Sequence, residues 1–198
     1  MERANLVLIL FLLSWLSHMT MLVSGQGNSK YVQDACQVTR YPDICIHTLA
    51  SFSRTARNDP RRWVRAGVSV TVGGAKDVAQ YLLKLKSRGS MRGRRRAAVS
   101  DCVECFQDAV DNLHRSLAGL RQLGTGRRFD EQMKNVTTWL SAALTDEDTC
   151  LDGFEGQNGK QVELLRNKVL NASYITSNAL ALANKLATTG TGSIGGDP

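Results

Sequence analysis

Four stretches of this chain space their apolar residues three and four apart, and that spacing leaves few folds open. In Cys102, Phe106, Val110, Leu113, Leu117 and Leu120 the steps are 4, 4, 3, 4 and 3. Such a stripe runs down one face of an α-helix, where 3.6 residues complete a turn. Phe129, Met133, Val136, Leu140 and Leu144 form a second stripe. Val162, Leu165, Val169, Ala172, Thr176, Ala179, Ala183 and Leu186 form a third. Val64, Val68, Ala75, Val78, Leu82 and Leu85 suit a fourth, although Val68 to Val72 alternates as a strand would and Gly73-Gly74 weakens a helix. Asp59-Pro60 favours the helix, with a capping carboxylate followed by proline at the first helical position.

Helices that each carry one apolar stripe bury it best against one another. The expected architecture is therefore all-α, an up-and-down four-helix bundle over residues 59–187. Only 3 prolines among 198 residues fit an all-β sandwich or proline-rich disorder poorly. Thr145-x-x-Asp148 resembles a capping box and predicts the start of a separate short helix. Asn158-Gly159 suits a turn with a cap. Residues 29–55 are expected to form a helical hairpin around Tyr41-Pro42. Residues 188–198, rich in Gly and Thr, read as a disordered tail.

The N-terminus has another character. Arg3 precedes the apolar run at residues 6–13, and the small residues Ser24-Gly25 close the segment. This is the layout of a secretory signal peptide over residues 1–25, and the unbroken run is too short to span a bilayer. No membrane span is expected after cleavage. Secretion makes disulfides available to Cys36, Cys45, Cys102, Cys105 and Cys150. Five is odd, so one thiol is free or pairs with another chain.

Charge is unevenly spread. Residues 54–96 hold 13 basic and two acidic side chains, whereas residues 129–157 hold seven acidic and one basic. The run Arg92, Arg94, Arg95 and Arg96 resembles a nucleic-acid signal, but a secreted chain seldom meets nucleic acid, and none is expected as a partner. A solvated inter-helix loop is the plain reading of the run; contact with acidic cell-surface polysaccharide is the functional one.

No catalytic constellation assembles. Cys102-x-x-Cys105 lies on a stripe with no strand before it, which suits a structural cysteine rather than a redox pair. Asp146, Glu147, Asp148 and Asp152 lack the spacing of a calcium loop, and helix-start carboxylates have a reason in the helix dipole. His47 and His114 stand apart. No catalytic residue, metal or cofactor is expected. Asn135-Val-Thr137 and Asn171-Ala-Ser173 are glycosylation sequons.

Four ordered blocks carry a family resemblance. They are Cys36-Gln-Val-Thr-Arg-Tyr-Pro-Asp-Ile-Cys45, the stretch from Asp101 to Leu113, the stretch from Trp139 to Phe154, and Thr176-Ser-Asn-Ala-Leu-Ala-Leu182. The chain resembles the plant invertase and pectin methylesterase inhibitor family over residues 29–187. That resemblance implies a four-helix bundle behind a helical hairpin. It also implies disulfides Cys36–Cys45 and Cys102–Cys150, which would leave Cys105 as a free thiol. It further implies a non-enzymatic chain that binds and blocks its target in the apoplast or cell wall. Invertase inhibitors often carry Pro-Lys-Phe before the third bundle helix, whereas this chain reads Arg127-Arg128-Phe129. The later blocks resemble pectin methylesterase inhibitors more closely, so that esterase is the expected partner and invertase the alternative. The same domain occurs as a pro-region of the esterases; with no catalytic domain after Pro198, the chain is expected to act in trans. Gln132, Asn135, Thr138, Trp139 and Ala142 run beside the core stripe of the third helix and form the expected partner-binding face. The competing reading is that Trp139 fills the gap to a neighbouring helix.

Overall fold

The computed structural model describes residues 29–89 and 91–190. The expected signal peptide lies outside the described residues, as do the last eight residues of the expected tail. Residues 29–36 form helix α1. Then come α2 (Pro42–Leu49), a 3-10 turn (Ala50–Phe52), α3 (Ser53–Ala56), α4 (Pro60–Arg88), α5 (Arg94–Arg121), α6 (Gly126–Asp152) and α7 (Lys160–Thr189). No strand occurs among the described residues.

Asp59 begins the bundle as its pairing with Pro60 predicts. Its carboxylate accepts from the backbone N–H of Arg61 at 2.9 Å and of Arg62 at 3.2 Å. The helix then runs unbroken through Gly73-Gly74, because packing on both sides outweighs the local cost of glycine. It ends at Gly89, whose φ of 59° is the left-handed turn that glycine supplies. At Gly67 the absence of a side chain has another use. A Cβ there would stand 3.3 Å from Leu182 Cδ1, so glycine lets α4 lie close against α7.

The four long helices pack α4 on α5, α5 on α6, α6 on α7 and α7 back on α4. Helices of this length run roughly 40 Å, so the short connections force each to turn back along its predecessor. The buried positions keep a strict alternation of three and four. In α6 they are Phe129, Met133, Val136, Leu140, Ala143, Glu147 and Cys150. In α7 they are those of the expected stripe, with Ser173, Ile175, Asn178 and Leu182 beside them. This is the beat of knobs-into-holes packing.

Two features depart from expectation. The α5 core takes Ala109 and Ser116, while Val110 and Leu117 are only half-buried. Likewise Ala143 and Glu147 replace half-buried Leu144. Larger side chains suggested the other positions, but close helix approach prefers small residues on the seam. No new helix starts at Thr145. That residue lies inside α6, and its Oγ1 donates back to Ser141 O at 3.0 Å. The carboxylates Asp146, Asp148 and Asp152 therefore stand near a helix C-terminus, where the dipole opposes them. Their grouping has no explanation in the dipole.

Cys36 is bonded to Cys45, with Cα atoms 5.7 Å apart, and Cys102 to Cys150, with Cα atoms 4.5 Å apart. The first bond closes the hairpin of α1 and α2; the second ties the start of α5 to the end of α6. The hairpin rests on α4 and α7. Asn178 secures it twice. Its Nδ2 donates to Tyr41 O at 2.9 Å, and its Oδ1 accepts from Tyr41 N at 3.0 Å. The rings of Tyr41 and Tyr174 meet with centroids 4.2 Å apart. Helix α7 continues to Thr189, so Thr188 and Thr189 are helical rather than part of the tail.

Candidate partner-binding surface

In a ring of four helices, the pair α5 and α6 lies opposite the pair α4 and α7 that carries the hairpin. The expected binding residues fall on this open side. Trp139 is half-buried, and Gly119 of α5 makes room for it: a Cβ on Gly119 would stand 3.5 Å from Trp139 Cζ3. The indole therefore lies against α5 at the seam between the helices. Trp139 packs on a neighbouring helix and keeps an exposed portion. Ala142, one turn on, is also half-buried, whereas Asn135 and Thr138 are exposed.

Gln132 is already committed within the fold. Its Oε1 accepts from Gly124 N at 2.7 Å, and its Nε2 donates to Gln122 O at 3.0 Å. It braces the turn between α5 and α6, which spacing on the helix did not reveal. Thr138 Oγ1 donates to Lys134 O at 2.9 Å, which spends its hydroxyl proton on its own helix. Further along the seam, Asn112 Nδ2 donates to Asp146 Oδ2 at 3.4 Å. Burial and, less strongly, nearby Asp108 raise the Asp146 carboxyl against the lowering effect of Asn112.

Cys105 is the free cysteine and is half-buried on α5. Burial, then the Asp146 carboxylate, hold its thiol above the usual range, so little reactive thiolate forms. Asn135 and Asn171 are both exposed on helix surfaces. Among the described residues, no group of three or more His, Cys, Asp or Glu is placed to hold a metal.

The carboxyl that the stripes concealed is Glu147. It is fully buried between α6 and α7, and Thr176 Oγ1 donates to its Oε1 at 2.9 Å. Its other oxygen has no partner. Desolvation pushes its pKa up to about 8. No spacing rule placed it in the core, because a reading by apolar residues passes over an acid.

The molecule is a bundle tied by two disulfides, with an aromatic-bearing seam that the hairpin leaves uncovered. Comparison with known proteins names the kind. Residues 30–182 match the family model described as plant invertase/pectin methylesterase inhibitor, and the chain belongs to that family, in which several relatives are named pectinesterase inhibitors. Pectinesterase inhibitor 6 of Arabidopsis thaliana is 47% identical over 80% of this chain and 76% of its own length. Pectinesterase inhibitor 9 of the same plant is 36% identical over 94% and 96%. A crystal structure of a mutant pectin methylesterase inhibitor from Arabidopsis shares the fold. It superposes with a TM-score of 0.61 at 21% identity, covering 75% of this chain and 92% of that one.

Proposed function

We propose that the mature chain is secreted and blocks pectin methylesterase by binding it non-covalently, one inhibitor to one enzyme, in the plant cell wall. The observation that carries this reading is the likeness to proteins named pectinesterase inhibitors, 47% and 36% identical over most of the chain. The expected signal peptide and the two disulfides agree with an extracellular site of action. Arg127-Arg128-Phe129 ahead of the core of α6 favours the esterase over invertase. The uncovered seam of α5 and α6, centred on Trp139, is the binding face, with Asn135, Thr138 and Ala142 beside it. Glycans on Asn135 and Asn171 and contact with acidic pectin belong to the same reading. A glycan on Asn135 would stand one turn from Trp139, so the two proposals compete at that spot.

Titration of purified protein into pectin methylesterase, and separately into invertase, at mildly acid pH tests the reading. Esterase activity is expected to fall linearly and vanish near one equivalent, with invertase unaffected. Fully active esterase under excess inhibitor would overturn the proposal, and loss of invertase activity would replace it with the alternative.

A further inference from the structure

The bundle end away from the Gly124 turn brings together the connection from α4 to α5 and the start of α7. Between them is a cleft of about 410 Å3, lined by Met91, Arg92, Arg95, Gly159, Lys160 and Val162 with Gln161. Met91 and Val162 are buried and make its floor, while the three cationic side chains stand at its rim. Among the described residues, no acidic one lines it.

Arg95 is held in place rather than free. Its Nη2 donates to Asn158 O at 2.9 Å, and its Nη1 lies 3.9 Å from where a Cβ on Gly159 would stand. The φ of 127° at Gly159 is open to glycine and strained for other residues. Glycine therefore makes the turn, and the guanidinium lies over the start of α7.

The electrostatics of this end are unfavourable for the isolated fold. Arg94, Arg95 and Arg96 open α5, which has no acidic residue in its first turn and no side-chain cap from Gly93. Lys160 opens α7. Cations at helix N-termini oppose the dipole, where carboxylates would be stabilised. Asp152, Glu155 and, in the first turn of α7, Glu163 stand at the same end of the bundle and are exposed. Among the described residues, though, the ion pairs are Arg62–Asp59 and Arg127–Glu131. None of the cations around the cleft takes part in an ion pair. A local rule broken this way, around a cavity, marks a place where stability yields to binding.

We propose that this cleft binds the carboxylates of de-esterified galacturonan, the polymer that a pectin methylesterase leaves behind. The choice of polyanion rests on the inhibitor reading above. Hydrolysis of a pectin methyl ester creates a carboxylate on the chain, and a planar guanidinium can donate two parallel hydrogen bonds to it. Gln161 and the backbone around Gly159 supply polar groups for sugar hydroxyls. The inhibitor would then be retained where the esterase has already acted, with its α5–α6 seam still free.

Affinity electrophoresis of the mature glycosylated protein through polygalacturonate, and through fully methyl-esterified pectin, tests this directly. The wild type is expected to be retarded by the first polymer and not by the second. Arg92→Gln with Lys160→Gln, neither of which holds the fold together, is expected to weaken retention at least about tenfold. Lys76→Gln with Lys84→Gln removes the same charge elsewhere and is expected to change it less than about twofold. Equal losses in the two variants would show diffuse attraction and overturn the site. Equal binding to the esterified polymer, or tighter competition by dextran sulfate, would overturn the carboxylate assignment. Esterase inhibition, measured on the same samples, separates the two claims. A protein that inhibits without retention refutes this inference alone, and one retained through the cleft without inhibiting refutes the inhibitor reading alone.

Discussion

At the scale of single residues, Glu147 has the clearest physical consequence. In the unfolded chain its carboxyl ionises near its ordinary 4.5, whereas in the fold burial raises it to about 8. Around it are the hydroxyl of Thr176 from α7, the Ser173 hydroxyl and, on its own helix, Asp146 and Asp148; none is a cation. Between those two values the folded state holds a proton that the unfolded state has released. Stability is therefore full below about pH 4.5 and declines up to about pH 8, by at most roughly 1.4 kcal/mol per pH unit from this group. Glu147→Gln keeps the shape without the titration. Thermal unfolding across this range should show a flatter profile for the variant and its largest gain at the alkaline end; parallel profiles would refute the assignment. Trp139 tests the seam. Trp139→Ala should weaken esterase inhibition by about 2 kcal/mol or more with helical circular dichroism unchanged, whereas lost helicity would return the residue to the core.

At the scale of elements, most boundaries were legible and a few were misleading. The Asp59-Pro60 start and the stripe of α7 could be read off directly, because capping and spacing are local. The supposed capping box at Thr145 failed because Ser/Thr followed by an acid three residues later recurs inside helices, where the hydroxyl bonds back along its own turn. Attachment of the hairpin was not legible at all. It depends on Asn178, a buried polar residue of α7 that meets Tyr41 across 137 positions of sequence. Asn178→Ala leaves Tyr41 N and O without those partners and should cost about 1–3 kcal/mol. Amide hydrogen exchange should then quicken in α2 while α5 and α6 stay protected; uniform exchange would mean that the hairpin and bundle open as one unit.

For the whole molecule, the two disulfides differ in leverage because their loops differ. Cys102–Cys150 closes a separation of 48 and Cys36–Cys45 one of 9. On the chain-entropy estimate the first contributes about 4 kcal/mol and the second about 2.5 kcal/mol. Replacing each pair with serine should lower the denaturation midpoint more for the first than for the second, and the reverse order would show strain or residual structure dominating. The fold class, the number of long helices and the cysteines available for bonding were all contained in the sequence, because helical period, cap chemistry and cysteine count act within a few residues. Tertiary structure alone decided which of two adjacent residues faces the core, as with Ala109 over Val110 and Ala143 over Leu144. It also decided that an acid would be sealed inside, and that Arg95 at the start of α5 would meet Asn158, just ahead of α7, 63 positions away. Helix approach distance, desolvation and the meeting of remote segments are set by packing, and no local spacing encodes them.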